Sequence, residues 1–172
     1  QLLLSISGVD SRYGTTGTAK KFWSSWREEE IPEAEMARIK ATPLTSAHRS
    51  AIFAERPRSA LEAFDRLHGS GALLTAQDRL LVSLLSKDRL LEFIRLFLLF
   101  DRKAEKIAAR YQQAFGIKAL LARISEIRPD GGRQGGVIWH TTGSGKSFTM
   151  VYLCKALLLD EVSRRNPIYH AP

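Results

Sequence analysis

A single cysteine, Cys154, is the whole thiol complement of the 172 residues. That excludes a disulfide framework within the chain and suits a reducing cytoplasm. It also excludes cysteine-rich zinc modules, and His48, His68, His140 and His170 show no metal-ligand spacing with it. Cys154 reads as a small core residue rather than a nucleophile. Long apolar runs are equally scarce. The most apolar stretch, residues 90–100, is interrupted by Glu92 and Arg95 and is too short to span a bilayer. It reads as a buried helix, which leaves no membrane partner. Leu2–Ile6 lacks the basic lead and the length of a signal peptide. Acidic charge is also short: 18 Asp and Glu against 26 Lys and Arg leave a net charge of +8. That excess favours a polyanion, most simply nucleic acid, although the cations are scattered and much of the excess is solvated helix surface. With 44% hydrophobic and 26% charged residues the chain is globular in class, one domain or parts of two. It starts at Gln1 and ends on Asn166–Pro172 without a closing element, so it reads as an internal fragment or a truncated product.

What is present is organised around one loop. Residues 136–150, Gly-Val-Ile-Trp-His-Thr-Thr-Gly-Ser-Gly-Lys-Ser-Phe-Thr-Met, read as a short buried strand (Val137–Trp139), a glycine loop and a helix start. Without a Cβ, Gly143 and Gly145 can take positive φ and approach an anion. Successive N–H groups then form a nest at a helix N-terminus. This is the Walker A phosphate cradle: Thr142, Gly143, Ser144, Gly145, Lys146, Ser147 and Phe148 would hold ATP. Lys146 is the catalytic cation reaching the β- and γ-phosphates, and the Ser147 hydroxyl helps hold Mg²⁺. Met150, Leu153, Cys154 and Leu157 at i, i+3, i+4, i+7 predict the apolar face of the following helix. His140 stands where the eight-residue pattern asks for Gly, which fits helicase-type loops better than kinase-type ones.

Upstream, Gln1–Ser7 reads as a buried strand and Gly8–Thr18 as a turn or hairpin. Ala19–Glu30 looks helical, with Phe22, Trp23 and Trp26 on one side and Glu28–Glu30 as its solvated end. Pro32, Pro43 and Pro57 punctuate a linker with short helical pieces. Ser59–Leu67 can form a helix ended by Gly69-Ser70-Gly71. Thr75 and Asp78 hold the capping-box positions of a helix over Thr75–Leu85. Lys87–Asp101 predicts a helix with Leu90, Leu91, Ile94, Phe97 and Leu98 as its apolar stripe. Glu105–Arg128 predicts another, with Ile117, Leu120, Leu121 and Ile124 on one face. Within it, Arg110-Tyr111-Gln112-Gln113 offers an amide whose donor and acceptor match the edge of adenine. Gln113 is the first choice for that contact and Gln112 the alternate.

Together these residues resemble the restriction (R) subunit of type I restriction–modification enzymes. Gly-Gly-Val-Ile-Trp-His-Thr-Thr-Gly-Ser-Gly-Lys-Ser-Phe-Thr-Met resembles its first helicase motif, with the Trp-His pair as the specific element, and Arg110–Gln113 resembles its upstream Gln segment. Residues 84–100 resemble the connector into its motor. Leu2–Ser7 with Arg12-Tyr13-Gly14 and Phe22 to Trp26 resembles the end of its nuclease domain. Thr142 departs from the Gln expected there.

The resemblance implies a helix-rich α/β chain: residues 1–30 the end of an α/β nuclease domain, 31–104 a mostly helical connector, and 105–172 the start of a RecA-like superfamily 2 helicase domain opening a parallel sheet. It implies a cytoplasmic ATP- and Mg²⁺-dependent subunit that translocates and cuts double-stranded DNA beside modification and specificity subunits. The remaining motor motifs are not visible: Asp160-Glu161 comes straight off the loop helix and reads as a helix end. No Asp…Glu-x-Lys cluster is present, so the nuclease centre is expected upstream of Gln1. Another phosphate-loop ATPase and a non-catalytic product are the competing readings.

Overall fold

A computed structural model describes residues 2–69, 73–101 and 105–159. Gly71, Asp160-Glu161, His170 and the terminal Asn166–Pro172 lie outside the described residues. The chain opens with a small antiparallel sheet of β1 (Leu2–Ser5), β2 (Arg12–Thr15) and β3 (Ser24–Ser25), in that order, with Leu4 opposite Tyr13. Helices α1 (Glu33–Lys40), α2 (Ser46–Phe53), α3 (Arg58–Gly69), α4 (Ala76–Leu84) and α5 (Lys87–Leu96) follow. A second antiparallel pair, β4 (Leu98–Asp101) and β5 (Glu105–Ala108), leads into α6 (Tyr111–Ser125) and α7 (Lys146–Leu159). The result is a helix-rich α/β chain with small sheets. Both sheets are antiparallel, so no parallel sheet opens within the described residues.

Local chemistry explains the caps. Glu33 and Glu35 lie in the first turn of α1, where the helix dipole favours anions. At α4 the expected capping box is formed: Thr75 Oγ1 accepts from Asp78 N at 3.2 Å, and Asp78 Oδ2 accepts from Thr75 N at 2.9 Å. Lys40 Nζ reaches the same carboxylate at 2.7 Å and ties α1 to α4. Burial alone would raise the Asp78 pKa, but the bonds from Lys40 and Thr75 outweigh it and hold the carboxyl below its usual value.

The core is aromatic. Tyr13, Trp26 and Phe93 meet edge to face with centroids 5.6 to 5.9 Å apart, and Phe97, Phe115 and Tyr152 extend the cluster. Leu80, Leu84, Leu98, Ala109, Ala114, Ile117 and Ala156 complete it. The N-terminal segment, α4, α5, α6 and the loop helix α7 therefore share one apolar interior.

Four expectations are corrected. Residues 19–30 are not a helix. They form one 3-10 turn at Lys20–Phe22 and then β3, because the tryptophans bond in different directions: Trp23 Nε1 to the Thr18 carbonyl at 3.0 Å, Trp26 Nε1 to Glu28 Oε2 at 2.9 Å. Glu28 is not a solvated helix end, since only 2% of its side chain is exposed. The helix over residues 87–101 stops at Leu96, with Phe93 and Arg89 facing inward and Leu91 and Ile94 outward. Residues 105–108 are strand rather than helix. Three side chains bond the carbonyls of this segment and its continuation: Thr15 Oγ1 to Lys106 at 2.6 Å, Tyr152 OH to Ile107 at 2.8 Å and Tyr13 OH to Ala109 at 2.7 Å. An extended backbone offers carbonyls outward that a helix would keep for itself.

Candidate nucleotide-phosphate loop

Val137–Trp139 belongs to no strand and is exposed rather than buried: Val137 is 91% and Trp139 90% exposed, and neither has a sheet neighbour among the described residues. The loop that follows is nevertheless closed. Gly143 and Gly145 adopt φ of +78° and +88°, the left-handed region that favours glycine. Ser144 N donates to the Thr141 carbonyl at 3.2 Å, and Thr149 N to the Gly145 carbonyl at 3.1 Å as α7 begins. The first N–H groups of a helix have no intrahelical acceptor, so this end presents donors and a partial positive charge.

Lys146 Nζ folds back across the loop to the carbonyls of His140 at 3.2 Å and Thr141 at 3.3 Å. Among the described residues no carboxylate pairs with it within 4.0 Å. Thr142, Ser147 and Phe148 are exposed beside it. The half-buried His140 lies against α6, where a Cβ on Gly116 would come 3.9 Å from its Nε2.

Gln113 belongs to the same site. It is 4% exposed; its Oε1 accepts from Arg110 N at 2.8 Å and its Nε2 donates to the Gly145 carbonyl at 3.1 Å. Gln112, one residue earlier, faces solvent. A Cβ on Gly145 would come 2.9 Å from Gln113 Nε2 and would push that amide aside, while the φ of +88° is what favours glycine here.

Beside the loop lies a cavity of about 410 Å³, lined from one side by Gly143, Ser144, Gly145 and Phe148 and from the other by Phe22, Lys106 and Arg110. Its lining holds these two cations and no carboxylate. Ser144 is one of the lining residues, and its Oγ is buried without a hydrogen-bond partner among the described residues. An orphaned hydroxyl, two glycines held open, an ammonium resting on carbonyls alone and a helix N-terminus suit a polyphosphate. Among the described residues no group of three His, Cys, Asp or Glu could hold a metal ion, and no helix is long and apolar enough to cross a membrane.

On α7 the buried face is Thr149, Tyr152 and Ala156, whereas Met150 and Cys154 are exposed and Leu153 is half-buried. The helix is apolar nearly all round, so sequence periodicity allows two faces. Packing of Tyr152 beside Phe97, with its hydroxyl on Ile107, selects the one that excludes Cys154. Sequence reasoning also missed Tyr13, Gly14, Phe22 and Ser24 as cavity residues, because about 120 residues of chain separate them from the loop. Their nearest signal was the aromatic pair Phe22-Trp23 after a Gly- and Thr-rich turn.

Residues 112–168 match the SWI2/SNF2 ATPase family. The chain is 40% identical over 93 residues to the HindI endonuclease subunit of a type I restriction enzyme of Haemophilus influenzae, covering 51% of this chain and 9% of that protein. Two Methanocaldococcus jannaschii proteins assigned as type I endonuclease subunits are similar. MjaVIIP is 39% identical over 93 residues, and MjaIXP 37% over 90, each covering 49% of this chain and 8% of the relative. The chain thus spans less than a tenth of the length of these relatives. No solved structure matches it. Over about half of its length, this chain is similar to the endonuclease subunits of type I restriction enzymes, and it carries an SNF2-type ATPase match across its phosphate loop.

Proposed function

We propose that the chain is part of the ATP-dependent, DNA-translocating and DNA-cleaving subunit of a type I restriction enzyme, and that it supplies the phosphate-binding half of the motor's nucleotide site. The observation that carries this reading is the loop at residues 141–147, with two left-handed glycines and a lysine unpaired to any described carboxylate, beside the Gln113 amide. ATP would supply the free energy of translocation when bound with Mg²⁺. Gly143 and Gly145 open the cradle. Ser144 directs its orphaned hydroxyl and Lys146 its ammonium to the phosphates. Ser147 helps hold Mg²⁺, and Thr142 and Phe148 flank the loop. Gln113 fixes the loop and contacts adenine, with Gln112 as the alternate contact.

In the same reading, residues 1–30 close the nuclease domain, 31–104 form the connector, and 105–172 open the helicase domain. The parent works in the cytoplasm on unmodified double-stranded DNA with modification and specificity subunits, and the net charge of +8 supports the polyanion partner. The chain by itself holds half a site and hydrolyses no ATP, since the acid that holds Mg²⁺ and the arginine finger lie elsewhere in the parent.

The SWI2/SNF2 match also favours a second reading, another DNA-stimulated ATPase without a nuclease. ATP turnover and DNA cleavage by the parent, wild type and Lys146→Ala, separate the two. Loss of both activities in the variant supports the first reading, and ATP turnover without cleavage in the wild type supports the second. ATP-driven translocation that persists in Lys146→Ala refutes the role given to the loop.

A further inference from the structure

The cavity beside the loop is larger than a phosphate cradle needs. At about 410 Å³ it lies within the roughly 300–1,000 Å³ of sites that take a whole small molecule. Its far wall comes from the N-terminal segment: Tyr13, Gly14, Thr18, Phe22 and Ser24 line it. We propose, resting on the nucleotide reading above, that this hairpin forms the nucleobase subsite and that Phe22 stacks on a purine whose phosphates lie on residues 143–147.

Phe22 is 56% exposed although it lines the cavity, and Lys21 Nζ lies over its ring 5.0 Å from the centroid. A ring left open at the rim of a cationic cavity suits the flat face of a base. The turn that carries it is fixed from both ends. Trp23 Nε1 bonds the Thr18 carbonyl at 3.0 Å, and Trp23 packs on Gly14 so closely that a Cβ there would meet the indole at 3.0 Å. Tyr13 and Thr15 then bond the Ala109 and Lys106 carbonyls, immediately before the helix whose Gln113 holds Gly145. Hairpin, β5 and loop are one hydrogen-bonded assembly, so a ligand bridging Phe22 and the loop at Gly143–Gly145 meets preformed walls, with Lys146 following directly in the chain.

The test is equilibrium binding of Mg·ATP and of Mg·tripolyphosphate to the full chain and to Phe22→Ala, Phe22→Trp and Lys146→Ala. Phe22→Ala should weaken ATP binding about tenfold and leave tripolyphosphate unchanged. Phe22→Trp should retain ATP, and Lys146→Ala should weaken both probes. Unchanged ATP affinity in Phe22→Ala, or an equal loss of both probes, overturns the base subsite while the cradle stands. A wild-type chain that binds tripolyphosphate as well as ATP does the same. A chain that binds neither probe overturns both this inference and the nucleotide reading beneath it.

Discussion

The Gln113 side chain donates from Nε2 to the Gly145 carbonyl at 3.1 Å while its Oε1 accepts from Arg110 N at 2.8 Å. One amide therefore caps α6 and sets the position of the phosphate loop 32 residues later. Gln113→Ala leaves the Arg110 N–H without its cap acceptor and removes the tie from α6 to the Gly145 carbonyl, which keeps its bonds from Thr149. It should lower stability by about 1–3 kcal/mol in urea denaturation and weaken Mg·ATP binding. Gln113→Glu keeps the acceptor and loses the donor, so it should be less destabilising than Ala yet still impair binding. An Ala variant with an unchanged midpoint would contradict this linkage.

Arg89 joins two segments that the sequence placed far apart. Its Nη2 bonds Glu28 Oε1 at 3.1 Å and Glu30 Oε2 at 2.8 Å, and its guanidinium carbon lies 5.2 Å from the Phe115 ring centroid. Lys118 adds a second cation on Glu30 at 2.7 Å. Removing Arg89 leaves the buried Glu28 carboxylate without its cation, held by the N–H groups of Trp26, Glu30 and Ile31. Arg89→Ala should cost about 3–5 kcal/mol, and Arg89→Lys should rescue only part, because an ammonium lacks the planar fork. Thermal unfolding of both variants checks this; a Lys variant as stable as wild type would show that charge alone suffices.

Tyr13 and Tyr152 give the stability a pH dependence. Both phenols are pushed above their ordinary value of 10.0, first by burial and, for Tyr13, by the neighbouring Tyr152. A raised folded pKa means that stability is intact below pH 10 and is lost as pH rises toward the folded values, because the unfolded chain ionises first. Asp78 acts at the other end: its lowered pKa contributes stability above about pH 4 that disappears on acidification. Tyr13→Phe should cost about 1 kcal/mol at neutral pH by orphaning the Ala109 carbonyl, and should reduce the alkaline loss. Urea midpoints measured from pH 7 to 11 should show both effects, and parallel curves for wild type and variant would contradict the assignment.

The elements set by local chemistry were legible in the sequence. Thr75 and Asp78 announced the start of α4, and the glycine pattern at residues 143–145 announced the loop, because caps and left-handed turns depend on residues a few positions apart. The elements set by distant partners were not legible. Residues 105–108 look helical until Tyr13, Thr15 and Tyr152 claim the carbonyls there and at Ala109. Glu28 looks solvated until Arg89 arrives from 61 positions away. On α7 two apolar faces compete, and only the position of Tyr152 decides between them.

That decision predicts the behaviour of Cys154. The thiol is exposed, so an aromatic disulfide reagent should label it in the native chain without denaturant. Labelling only after unfolding would return Cys154 to the core and rotate α7.

The most direct test of the central claim is the affinity of the full chain for Mg·ATP, compared with Lys146→Ala by isothermal titration calorimetry alongside urea melts of both. Among the described residues, the Lys146 ammonium bonds the carbonyls of His140 and Thr141 and no side chain, so its loss should leave the fold intact. The account predicts weak, saturable binding by the wild type that falls about tenfold or more in the variant, with unchanged melts. Equal affinities in two equally stable proteins would contradict the phosphate loop as the seat of nucleotide binding.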